Sequence, residues 1–159
     1  MIKVLFVCQG NICRSPLAEG IFDELVKEQG LSKRLACDSA GISGEHAGQQ
    51  PDSRSIQVAK EYGIKLNHES RPVNLHDFEY FDYIIPMDIM NQTDLIRLRN
   101  QSVSPRCQII MMRKFDPAGE SIEVVDPYEY DYEAFVEVYN ILYRSIIYFI
   151  EYLKDEYSL

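Results

Sequence analysis

Cys8 and Arg14 are separated by five residues in the stretch VCQGNICRSP, at the end of the apolar run IKVLFV. A cysteine attacks as its thiolate, and a free thiol ionises near pH ~8.5. Three features favour the anion here. The loop enters a helix start, whose unpaired N–H groups and dipole attract negative charge. Arg14 adds a fixed positive charge, and the Ser15 hydroxyl can donate a hydrogen bond. The spacing lets the backbone curl until several N–H groups converge above the sulfur, and Gly10 and Asn11 tolerate the positive φ expected of such a curl. A tetrahedral oxyanion fits that cradle. Arg14 would fork onto two of its oxygens, with the sulfur in line behind the central atom. The chain has no GxxxxGK[ST] stretch, so this is not a Walker loop. Cys-x5-Arg alone is a weak signal, and a cysteine can also be a small buried residue closing a strand. The strand before it, the helix after it and the Gly-Asn between favour the nucleophile.

Phosphoryl transfer to sulfur expels an alkoxide or phenoxide, which needs a proton. Water must then attack the phospho-enzyme, and the same group can serve as base. Two Asp-Pro pairs stand in polar segments past the last strand, Asp116-Pro117 and Asp126-Pro127. Either can supply the acid, and either can be an ordinary turn.

The elements that position these residues alternate. A buried strand is expected over 2–7, then a helix with Ser15 as N-cap and Pro16 at N1, running to about Gln29 with Gly30 as its stop. RLACDSAG reads as a second strand and ISGEHAGQQPD as a loop. Asp52 caps a helix to Tyr62. FDYIIPM is a third strand, Asp88 opens a helix near 89–99, and CQIIMM is a fourth strand. From about Asp131 to Asp155 one long amphipathic helix presents Phe135, Val136, Tyr139, Leu142, Tyr143, Ile146, Ile150 and Leu153 at the 3.6 period. Strand–helix alternation implies an α/β fold with a mainly parallel sheet. Ligands of such sheets sit beyond the carboxyl ends of the strands, which is where Cys8 falls.

A length of 159 residues fits one domain over 1–159, with a core that needs no staples. The net charge of −9 argues against nucleic acid and anionic membrane as partners, since both reward basic surfaces. No stretch is apolar enough to span a bilayer, and the N-terminus lacks the pattern of a signal peptide. The four cysteines show no zinc-type pairing, so a reducing cytoplasmic compartment is expected, with no metal and no cofactor.

VCQGNICRSP closely resembles the signature of the low-molecular-weight protein tyrosine phosphatases. SAG, HAGQQPDSR, FDYIIPMD with Asn91, and VVDPY follow in that family's order and spacing, over nearly the whole chain. The resemblance implies a three-layer α/β fold with a four-stranded parallel sheet flanked by helices. It implies phosphotyrosine-containing proteins as substrates, and a monomer or weak self-association. It makes Cys8 the nucleophile that forms a cysteinyl-phosphate, Arg14 the phosphate-binding group and Asp126 the general acid. Gln9, Gly10, Asn11, Ile12, Cys13 and Ser15 would bind substrate, with Tyr128 and Glu45 at the mouth. Asn11, Ser15, Glu19 and His68 would hold the loop. Cys13 would trap oxidised Cys8 as a disulfide, or simply pack.

Two positions depart from the family. Glu45 stands where many members carry Trp or Tyr, and Glu129 where several carry a second Tyr. Other activities share the loop. Arginine-phosphate phosphatases carry Thr where Ile12 stands, and thiol-dependent arsenate reductases use a downstream cysteine pair that isolated Cys37 and Cys107 do not form. A silent phosphate-binding module would not need Cys8, Arg14 and Asp126 together.

Overall fold

The computed structural model describes residues 1–159. Its order is β1 (Ile2–Cys8), α1 (Arg14–Glu28), β2 (Leu35–Gly41), α2 (Ser53–Glu61), α3 (Asp77–Tyr80), β3 (Tyr83–Pro86), α4 (Ile89–Arg99), β4 (Gln108–Ile109), a 3-10 turn (Met112–Phe115) and α5 (Tyr132–Tyr157). All pairings are parallel, and the strand order is β2-β1-β3-β4. The order reverses at β1, so the crevice at its carboxyl end is the switch point.

β1 is apolar throughout because both faces are covered. Val4, Phe6 and Cys8 point into a core shared with α1 and α5, while Leu5 and Val7 point to the layer that holds Phe78, Phe81 and Leu95. This three-layer arrangement is the one expected. Phe6 meets Phe22 at 5.6 Å and Phe149 at 6.4 Å, both edge-on. Replacing such a ring by alanine costs about 3–5 kcal/mol.

Several boundaries differ from expectation, each for a local reason. α1 begins at Arg14, with Cys13 at the N-cap position and no side-chain cap. Ser15 is therefore inside the first turn, and its hydroxyl is spent elsewhere. The fourth strand is only Gln108–Ile109, because the chain leaves the sheet to form the 3-10 turn in which Arg113 reaches Asp116. α3 was not expected. A reciprocal pair builds it, in which Asn74 N–H donates to Asp77 and Asp77 N–H donates to Asn74. On α5 the buried stripe also includes Val138 and Phe149, while Tyr143 stands at the rim, stacked on Tyr139 at 6.1 Å. The capping residues Asp52, Asp88 and Asp131 each accept from a backbone N–H of the first turn, as their positions imply.

Candidate active site

The loop Gln9–Cys13 leaves the end of β1 and enters α1. None of its five N–H groups donates to another backbone group. They are free to converge on an anion, next to a helix N-terminus. The curl is set by Asn11, the residue in the left-handed region, with φ 56°. Gly10 does not share that conformation, contrary to expectation. Its use is space, since a Cβ there would stand 3.1 Å from the His46 ring. Gly41, at the end of β2, likewise lets the loop approach, because a side chain there would press on Asn11 at 3.1 Å.

A buried network holds the strained asparagine. Arg71 N–H donates to Asn11 Oδ1 at 3.0 Å, which fixes the orientation of the amide. His68 Nε2 must then be the donor in its 2.7 Å contact with the same oxygen. Asn11 Nδ2 donates to Ser15 Oγ at 2.8 Å and to Ser39 Oγ at 3.0 Å, and Ser39 passes its own proton to Glu19 at 2.7 Å. Because Ser15 Oγ accepts from Asn11, its single hydrogen can point at Cys8 Sγ, 3.0 Å away, with the Ala40 carbonyl at 3.5 Å the more distant alternative. The network that shapes the loop thus also aims a donor at the sulfur. Ser39 was missed from sequence, since nothing local marks it.

Arg14 is almost wholly buried. Its Nη1 donates to Asp88 Oδ2 and to the Val124 carbonyl, both at 2.8 Å. Nη2 lies 3.7 Å from Asp126 Oδ2, and the buried Nε has no partner. One side of the guanidinium is therefore anchored, and Nε with Nη2 form a free fork. Burial alone would lower the Arg14 pKa, but Cys8, Asp88 and Asp126 outweigh it and raise it. Asp88 holds Arg14 with one carboxylate oxygen and caps α4 with the other.

The two candidate acids separate clearly. Asp126 is half exposed at the pocket, accepting from Tyr128 N–H at 3.1 Å. Asp116 is enclosed by Arg113 and Arg144, at 2.8 and 2.7 Å. The Arg144 bond above all holds its carboxyl below the usual range. Asp116 is a structural ion pair, away from the pocket wall. The Asp126 loop is tied down by Arg54, which donates to the carbonyls of Tyr128 (3.0 Å) and Tyr130 (2.8 Å) while gripping Asp52 with Nε and Nη2. Burial alone would push Asp52 up, yet its bonds to Arg54 hold it low.

Cys8, Gln9, Gly10, Ile12, Cys13, Arg14, Glu45, Asp126 and Tyr128 together line one pocket of about 230 Å³. Ser43 and His46 complete the wall, and neither was singled out from sequence. The His46 ring lies 6.5 Å from that of Tyr128. Asn11 and Ser15 are not on the wall. Both side chains are fully buried and act from behind it. A larger cavity, about 640 Å³, runs along the segment from Gln50 to Glu69. It reaches neither Cys8 nor Arg14, so here chemistry rather than size marks the site. Burial first, and then Asp52 and Cys8, raise the Cys13 thiol pKa well above its ordinary value. Cys37 lies on β2 and Cys107 just before β4, on opposite edges of the sheet.

A model of the low molecular weight phosphotyrosine protein phosphatase family matches residues 3–159. The human protein of that name is 40% identical over 149 residues, which is 94% of each chain. A crystal structure of a protein tyrosine phosphatase from Entamoeba histolytica superposes with a TM-score of 0.89 at 37% identity, covering 98% of this chain and 99% of that one. A Drosophila arginine phosphatase superposes with a TM-score of 0.92 at 35% identity, over 96% of this chain and 98% of its own. On the family match and the identity along nearly its full length, this chain belongs to the low molecular weight phosphotyrosine protein phosphatase family.

Proposed function

We propose that residues 1–159 act as one phosphatase domain that hydrolyses phosphotyrosine in proteins through a cysteinyl-phosphate. The observation that carries this is the juxtaposition of Cys8, the free fork of Arg14 and the Asp126 carboxylate in one pocket. The phosphate sits in the loop, with three oxygens toward the N–H groups and the Arg14 fork. Cys8 Sγ, steadied by Ser15, attacks phosphorus as the P–O bond to the tyrosine breaks. Asp126 gives its proton to the departing phenoxide. It then takes a proton from water as that water attacks phosphorus, the P–S bond breaks and inorganic phosphate leaves. The Arg14 fork and the N–H groups stabilise the charge on the equatorial oxygens in both steps.

Tyr128 and Ile12 wall the pocket, and an aryl ring suits such walls. The likeness to the Drosophila arginine phosphatase gives a second reading, phosphoarginine. Ile12 offers that substrate no hydrogen bond, whereas the threonine of the arginine-specific loop would. No helix is long and apolar enough to cross a membrane. With the free thiols of all four cysteines, a cytoplasmic location is the reading that fits.

The deciding experiment compares aryl phosphate, phosphotyrosine peptide and phosphoarginine peptide, with EDTA present, for the parent and Cys8→Ser. The parent should cleave both aryl esters far faster than phosphoarginine, and Cys8→Ser should cleave none. Equal activity in both proteins would sink the mechanism. A preference for phosphoarginine would transfer the assignment to the second reading.

A further inference from the structure

Large apolar side chains stand in water on the two segments that anchor Arg14. Met90 is 72% exposed, Val125 62%, Ile122 56% and Ile89 47%. Single exposed apolar residues need no explanation, but neighbouring ones bordering a site do. These are neighbours because the Arg14 anchor makes them so. Asp88, which accepts from Arg14, opens α4, whose first two residues are Ile89 and Met90. Val124, whose carbonyl accepts from the same nitrogen, is followed by Val125 and then Asp126. Ile89 N–H donates to the Glu123 carboxylate at 2.9 Å, joining the two segments. Beyond Ile122 the surface sinks into a groove of about 310 Å³ lined by Gln92, Ile109, Ile110, Met111, Lys114 and Ile122.

We propose that this patch and groove dock an extended segment of the substrate protein carrying large apolar residues close to its phosphotyrosine. The proposal rests on the phosphotyrosine reading above and adds a substrate class to it. Val125 is bonded to Asp126 of the pocket wall, so a chain anchored in the pocket by its phosphate can pass over the patch. Ile122 precedes Asp126 by four residues, at most about 14 Å of extended chain. A substrate strand covers that distance with three or four residues. The charges point the same way. Glu45 and Asp126 line the mouth and the Glu123 carboxylate stands between the two segments, so acidic residues next to the phosphotyrosine are repelled while apolar ones gain buried area; Lys114 is the one charge lining the far groove.

The test uses phosphotyrosine peptides with a single Leu, Gln or Glu at each of the four positions on either side, and aryl phosphate as the flank-free reference. For the parent, Leu at the best position should exceed Gln about tenfold in kcat/KM, with Glu below both. Met90→Gln and Ile122→Gln should each bring the Leu-to-Gln ratio about threefold closer to one. Both replace exposed side chains, and the ratio cancels any loss of folded protein. No preference for Leu in the parent, or a ratio unchanged in both variants, overturns the proposal. If the patch instead covers a second copy of the chain, sedimentation will show Met90→Gln converting dimer to monomer with the ratio unmoved, which overturns it too. Failure of the parent to cleave any of these esters would refute the phosphotyrosine reading itself, an outcome distinct from cleavage without preference.

Discussion

Arg14 shows how much of the chemistry is decided by which hydrogen bonds a single side chain has already made. Its Nη1 is committed to Asp88 and Val124, which leaves Nε and Nη2 for the two phosphate oxygens of the proposed mechanism. Lysine in its place keeps a charge but has neither the fork nor the fixed plane. Arg14→Lys should therefore lower kcat by at least about a hundredfold, the loss typical of removing one transition-state donor. Steady-state kinetics with an aryl phosphate checks this, and near-normal kcat would mean the fork is not used. In the proposed mechanism Asp126 protonates the leaving group, so the effect of its removal should depend on that group. Asp126→Ala should slow phenyl phosphate about a thousandfold and an activated nitrophenyl ester much less. Asp116→Ala should cost stability with no such dependence. The reverse pattern would place the acid on the other loop.

At the scale of elements, the site is a set of segments tied together by side chains distant in sequence. β1, the loop and the capped helices were legible because their signals are local, namely an apolar run, a Gly-Asn pair and aspartates at helix starts. The ties were not. Asn11 meets Ser39 and His68, and Arg54 meets Tyr128 and Tyr130, across 28, 57, 74 and 76 positions. No local pattern announces such pairs. Ser15 was misread as a cap, because the helix starts one residue earlier than the Ser-Pro pair suggests, but its bonds to Cys8 and to the loop network are the ones expected of it. Arg54 is the tie whose loss is most informative. It holds the backbone of the Asp126 loop and, through Asp52, the start of α2, and Asp52 N–H in turn donates to the Ile12 carbonyl of the phosphate loop at 2.7 Å. Arg54→Ala should lower kcat roughly ten- to a hundredfold by letting the acid drift, in line with the cost of small misplacements. The loss should be larger for poor leaving groups, as for Asp126→Ala, and Arg54→Lys should not rescue it. A uniform loss across leaving groups would show that Arg54 only stabilises the fold.

For the whole molecule, the telling group is Asp116, which the pocket does not use. Its carboxylate has no exposed surface and is gripped by Arg113 on the 3-10 turn and Arg144 on α5. The grip fastens the end of the sheet to the long helix whose apolar stripe fills the main core. Removing one partner of such a pair leaves the other uncompensated, at about 3–5 kcal/mol. Because Arg144 first, then the Ala118 N–H and Arg113, hold the folded-state pKa below the ~3.9 of an unfolded aspartate, folding favours the ionised form. The stabilisation is thus fully present above pH ~4 and is lost as pH falls through the lower, folded value. Asp116→Asn should melt about 8 °C below the parent at pH 7. Below pH ~4 the parent loses its advantage and the two melting curves converge, which a pH series of thermal scans will follow. Catalysis per folded molecule should be nearly unchanged in the variant at pH 7, since Asp116 touches no pocket residue. A gap in melting temperature that stays constant down to pH ~2 would mean that packing around Asp116, rather than its charge, joins the turn to α5.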